Sequence, residues 1–175
     1  MKLKWSILLY HQKVTDRSVV MLALTLLTFV LAAARFSTNP EWEMPSVEAA
    51  TDSLLCVAHR LEGIPYRYGG KNETGFDCSG YTRYLYQQIG IDLNASAAEQ
   101  YKQGIEVHAD SLQPGDLLFF QNTKGRIFHV GLYVGEREER PSFIHASSSR
   151  GVVVDDLRQY YFHKRWAGAK RIFNP

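Results

Sequence analysis

Along residues 48–62 apolar side chains recur at helical spacing through Leu54, Leu55, Ala58 and Leu61. Gly63 and Pro65 follow as stop signals, which predicts a first helix there. A glycine-rich loop, YRYGGKNETGFD, comes next. A second helix is predicted from about Asp77 to Gln88: Tyr81, Leu85 and Ile89 share one stripe, Gly90 closes it, and Asp77 stands where a capping side chain belongs. A third, short helical stretch falls near Ala95–Gln103. Beyond the turn Gln113-Pro114-Gly115 the period changes to that of strands, in DLLFFQ, HVGLYVG, SFIHAS, GVVVDD and AGAKRIF. Helices first and strands later predict an α+β domain over residues 48–175, with an antiparallel sheet and the helices packed to one side of it.

The segment ahead of this domain has a different character. Lys2, Lys4, Lys13 and Arg17 precede the uncharged apolar run SVVMLALTLLTFVLAAA, residues 18–34, which Arg35 closes. Basic residues before such a run hold an N-terminus in the cytoplasm and send the rest of the chain outward. Residues 1–35 therefore read as a signal peptide or an N-terminal membrane anchor. Ala32 and Ala34 fit a cleavage site, and a length of 17 residues also reaches the lower limit for a membrane span. Residues 36–47, with Pro40 and Pro45 and no sustained period, read as a linker. The expected location is the periplasm or cell envelope, with the chain either released or held at the cytoplasmic membrane through residues 18–34.

Charge narrows the partners. The chain of 175 residues has a formal charge of +2, and residues 1–45 hold five of its 20 basic and three of its 18 acidic side chains, leaving 15 of each for the rest. A balanced domain of this kind is a poor match for nucleic acid.

Two cysteines in an exported chain can pair, but their settings differ. Cys56 lies beside the apolar stripe of the first helix and reads as a small buried hydrophobe. Cys78 lies in GFDCSG, between an acid and two small residues. If Asp77 caps the second helix, Cys78 stands in its first turn, where free backbone N–H groups and the helix dipole favour a thiolate, and Ser79 and Gly80 leave space beside the sulfur. A packing cysteine is the plain alternative, so a base is needed to complete the case. In HVGLYVG, alternation puts Val130, Leu132 and Val134 on one face and His129, Gly131 and Tyr133 on the other. His129, next but one to a position without a side chain, has the form of a general base that must approach a cysteine. His145 lies off the face of Ile144 and Ala146, and becomes a neighbour of His129 if the two strands pair. Cys78, His129 and His145 contain no close C-x-x-C or H-x-x-x-H pair, which argues against zinc, and the chemistry they suggest requires no metal or organic cofactor.

In order along the chain, Tyr66-Arg67-Tyr68-Gly69-Gly70, GFDCSG, LQPGDLLFF, HVGLYVG and FIHASSSRGV resemble the NlpC-type family of bacterial cell-wall cysteine peptidases. The resemblance runs from about residue 48 to the end of the chain. It implies a compact papain-like α+β fold with the catalytic cysteine opening a helix. It also maps the nucleophile onto Cys78, the base onto His129, the third polar residue onto His145, and an oxyanion-binding hydroxyl onto Tyr66, which is otherwise a packing aromatic. Arg67, Tyr68, Lys71 and Asn72 are candidate substrate-binding residues or simply a solvated loop. The implied substrates are peptidoglycan stem peptides, cut across the crosslink between D-alanine and diaminopimelate or, second in order, between D-glutamate and diaminopimelate. Other readings are an amidase or acyltransferase of the same fold and an inactive envelope scaffold.

Overall fold

The computed structural model describes residues 21–22, 24–28 and 46–173. Most of the predicted leader, and all of the linker but residues 46 and 47, lie outside the described residues. The described residues at 21–28 are helical, with Met21, Leu22, Leu24, Leu26 and Leu27 all more than half exposed. Among the described residues no helix is long and apolar enough to cross a membrane.

Residues 46–173 belong to a separate compact unit. Its first helix, α1, runs Val47–Arg60, and the Ser46 hydroxyl caps it by accepting from the Ala49 N–H at 3.2 Å. A two-residue hairpin follows, β1 at Lys71–Asn72 and β2 at Gly75–Phe76, and leads directly into α2 at Cys78–Gln87. Helix α3 is one turn, Ala97–Gln100. Gln100 is fully buried and ties that turn to α2: its side chain accepts from the Thr82 hydroxyl at 2.8 Å and donates to the Ser79 carbonyl at 3.0 Å.

The remaining strands are β3 (Ile105–Val107), β4 (Leu117–Gln121), β5 (Ile127–Arg137), β6 (Arg140–Ser147), β7 (Gly151–Asp156) and β8 (Trp166–Arg171), with a short helix α4 (Tyr160–His163) before the last. They form one antiparallel sheet in the order β3-β8-β4-β5-β6-β7. The predicted α+β architecture is the one observed, with α1, α2 and α3 on one face of the sheet and only the short α4 on the other. Hairpin β1–β2, strand β3 and helix α4 escape the sequence pattern because each is too short to show a period.

One face of the sheet meets the helices: Leu54, Ala58, Leu61, Tyr81, Leu85 and Tyr86 pack against Leu117, Phe119, Val130, Leu132, Ile144 and Ala146. The other face carries its own cluster of Leu118, Phe120, Tyr133, Phe143, Phe162 and Ala169. Burial on both faces explains why LLFF in β4 has no alternation. Cys56 is exposed, contrary to expectation. It lies two positions on from the fully buried Leu54, about 200° round the helix, and so faces away from the sheet.

The Pro-Gly-Asp turn is a structural joint, as its sequence suggests. Asp116 is 1% exposed, accepts from the Gln113 N–H at 2.8 Å, and pairs through both oxygens with the Arg171 guanidinium at 2.8 Å.

Candidate active site

Cys78 is placed by a loop that folds back on the start of α2. Tyr66 bridges to Phe76, the Arg67 N–H donates to the Phe76 carbonyl at 2.9 Å, and the Asp77 N–H donates to the Gly70 carbonyl at 3.1 Å. Asp77 then uses both carboxylate oxygens. Oδ1 accepts from the Gly80 N–H at 2.6 Å and caps the helix, while Oδ2 accepts from the Gly69 N–H at 3.0 Å. Gly80 is the position where loop and helix touch: a Cβ there would lie 2.0 Å from the Gly70 carbonyl oxygen. The glycine serves this close backbone approach, rather than making space beside the sulfur as the sequence suggests.

Across from the helix, β5 supplies His129 and β6 supplies His145. The register pairs Leu132 with Ile144, which brings Gly131 alongside His145. A Cβ at Gly131 would meet the Phe143 ring at 2.6 Å and the His145 Cβ at 3.0 Å, so the glycine lets the two strands close with an imidazole on each. The two rings stand perpendicular, with His129 Nε2 2.8 Å from His145 Nδ1. His145 is 3% exposed and stacks on Phe143. Its other nitrogen, Nε2, lies 2.9 Å from Asp155 Oδ2. Arg150 closes the row with two contacts to the same carboxylate, Nη1 to Oδ1 at 3.2 Å and Nη2 to Oδ2 at 2.5 Å.

Tyr66, Cys78, His129 and His145 line a single cavity of about 470 Å³, whose wall is completed by Phe128, Tyr161 and the segment from Ser147 to Arg150. Among the described residues the Tyr66 hydroxyl makes no hydrogen bond of its own. Arg67, Tyr68, Lys71 and Asn72 do not line this cavity: all four are exposed, and the Asn72 side chain accepts from the Thr74 N–H and hydroxyl to close the β1–β2 hairpin. No sequence pattern singles out Asp155 and Arg150. Their place beside His145 depends on the β6–β7 register, Phe143 to Asp155 and His145 to Val153, for which the chain carries no local sign.

Burial at the site works against the thiolate that the helix N-terminus favours. Burial, with the charge of Asp77 adding to it, pushes the Cys78 thiol up to about 11 against the opposing pull of backbone N–H bonds, chiefly from Val130. Burial and then His145 push His129 down to about 3. Both shifts favour a neutral thiol and a neutral imidazole, against the pull of the helix N-terminus on the thiolate. Sγ donates weakly to the Phe128 carbonyl at 4.0 Å, and it has no hydrogen bond to His129. Burial also works against the Asp155 charge, but hydrogen bonds from His145 and Arg150 prevail and hold this carboxyl well below the usual range. Tyr66 is raised, first by burial and then by Cys78 and Asp77.

A cysteine opening a helix, packed against an antiparallel sheet that presents two hydrogen-bonded histidines, defines a papain-like α+β fold with the make-up of a cysteine hydrolase. Residues 63–171 match the NlpC/P60 family, and the chain belongs to that family. It is 36% identical over 115 residues to the murein DD-endopeptidase MepS/murein LD-carboxypeptidase of Escherichia coli (strain K12), a match covering 65% of this chain and 58% of that protein. It is 34% identical over 125 residues to the gamma-D-glutamyl-L-lysine dipeptidyl-peptidase of Bacillus cereus (strain ATCC 10987 / NRS 248), covering 70% of this chain and 36% of the relative. The crystal structure of an NlpC/P60 family protein from Bacillus cereus ATCC 10987 superposes with a TM-score of 0.65 at 32% identity, over 70% of this chain and 40% of that one. The chain thus spans less than two thirds of the length of each of these relatives.

Proposed function

We propose that this protein is a cysteine peptidase of the cell envelope that hydrolyses amide bonds in the peptide part of peptidoglycan. The observation that carries the reading is the single cavity holding the Cys78 thiol beside a hydrogen-bonded pair of imidazoles. His129 takes the thiol proton as sulfur attacks the amide carbonyl, and His145 steadies the imidazolium that results. The Tyr66 hydroxyl and a backbone N–H at the start of α2 donate to the oxyanion. His129 then passes its proton to the leaving amine, and water releases the acyl group from sulfur. Similarity to a murein DD-endopeptidase favours the D-alanyl–diaminopimelate crosslink as the bond cut. Similarity to a gamma-D-glutamyl-L-lysine dipeptidyl-peptidase supports a cut within the stem as the second choice.

Family membership supports an extracytoplasmic location in the periplasm or cell envelope. Residues 1–35 act as the export signal or as an anchor in the cytoplasmic membrane, residues 36–47 as the linker and residues 48–175 as the peptidase domain. The apolar residues of 18–34 support that division.

The test is incubation of the full chain with purified crosslinked muropeptides, with Cys78→Ala in parallel, and mass analysis of the products. Conversion of dimers to monomers by the unsubstituted chain alone is the expected result. Shortened stems would move the cut inside the peptide, and turnover by Cys78→Ala would overturn the mechanism.

A further inference from the structure

We propose that Asp155, held by Arg150, is a positioning residue that sets the tautomer of both histidines and thereby leaves the lone pair on the one nitrogen of His129 that His145 does not engage. This rests on the reading of His129 as the base.

An ionised carboxylate can only accept, so the 2.9 Å contact of Asp155 Oδ2 with His145 Nε2 puts the proton of neutral His145 on Nε2. His145 Nδ1 is then an acceptor, and the 2.8 Å contact with His129 Nε2 needs its donor from His129. The single proton of neutral His129 therefore sits on Nε2, and Nδ1 is free to take the thiol proton. Reversing the polarity at Asp155 reverses both rings. His145 Nε2 would accept, its proton would move to Nδ1, and His129 would carry its proton on Nδ1, where it blocks the thiol. The same logic governs the aspartate of a Ser-His-Asp triad, here carried through one additional imidazole.

Arg150 keeps the carboxylate ionised. Asp155 is 7% exposed, and the titratable and charged groups that face it are His145 on β6, Arg150 from the β6–β7 turn and, beyond His145, His129 on β5. The uncharged Gln159 amide donates to Oδ1 at 3.4 Å. Arg150 is thus the one permanent cation against this carboxylate among the described residues.

Two measurements on the full chain test this. In 15N-histidine-labelled protein the ring shifts are expected to show protonated Nε2 and bare Nδ1 at His129, and Asp155→Asn is expected to invert both rings. That variant should lose at least about 10²-fold in kcat on crosslinked muropeptides with KM little changed. A merely structural staple between strands would alter thermal stability and leave the tautomers as they were, which would overturn the proposal, as would a wild-type His129 protonated on Nδ1. If Asp155→Asn does not fold, Arg150→Met serves. With the cation gone, the pH at which the Asp155 carboxyl carbon changes its 13C shift should move up toward the ordinary carboxylate value. An unmoved 13C transition would refute the role of Arg150 in holding Asp155 ionised. A wild-type chain inert on muropeptides but with bare Nδ1 at His129 would sink the substrate assignment and leave the tautomer assignment standing.

Discussion

At Cys78 and His129 burial works against a standing thiolate–imidazolium pair, since it pushes the thiol up to about 11 and the imidazole down to about 3. Both directions favour deprotonation that accompanies attack. In a Cys56→Ala background, the rate at which iodoacetamide modifies Cys78 should climb about tenfold per pH unit between about pH 7 and 10. A flat rate from about pH 5 to 8 would point to a resting ion pair instead. The Cys56→Ala background is needed because Cys56 is exposed and would be modified in parallel. At this scale the motifs around Cys78, His129 and His145 were legible, since each follows from a local pattern of caps and alternation. Proton positions were not, because burial outweighs the helix terminus and burial is a property of the packed chain. The buried setting expected for Cys56 does not hold, because adjacency in the chain is not adjacency on a helix: two positions on from Leu54 it is turned about 200° from the stripe.

At the level of elements, two glycines hold the site together by different contacts, and their alanine variants should separate stability from turnover. Gly80→Ala drives a Cβ into the Gly70 backbone carbonyl, which has no room to yield while it accepts from the Asp77 N–H. A stability loss of about 3 kcal/mol or more is expected in urea unfolding. Gly131→Ala meets the Phe143 ring and the His145 side chain, which can shift. Its stability loss should be smaller, about 1–2 kcal/mol. Its turnover should fall by at least about tenfold, because opening β5 from β6 lengthens the contact between the imidazoles. Equal stability losses in the two variants would contradict this division. Helices α1, α2 and α3 and five of the strands are legible from period and stop signals. Strand β3 is not, nor is the insertion of β8 between β3 and β4, because both depend on pairing between residues such as Ile105 and Arg171 that lie far apart in the chain.

For the molecule as a whole, the histidine row has a cost in acid. The folded-state pKa of His129 lies below its ordinary value of 6.5, so as pH falls the unfolded chain takes up the proton first. Stability is therefore lost from about pH 6.5 downward, at a slope of up to about 1.4 kcal/mol per pH unit. Asp155, held below the usual carboxylate range, adds a loss only as the pH falls past its ordinary value of 3.8. Urea unfolding should show the wild type losing about 2 kcal/mol between about pH 7 and 4.5, and His129→Gln losing distinctly less. Parallel losses in the two proteins would remove His129 as the cause.

The position of β8 also bears on the order in which the chain becomes a protein. Residues 166–171 are the last strand described and yet lie inside the sheet, with β3 on one side and β4 on the other. A polypeptide emerging amino end first has no completed sheet to close until those six residues arrive, and Arg171 reaches Asp116 only then. Until that moment β3 has no neighbour and β4 lacks one of its two. Every residue lining the cavity, from Tyr66 to Phe162, has by then already been made, so the last strand completes the frame around a pocket whose own parts were synthesised before it.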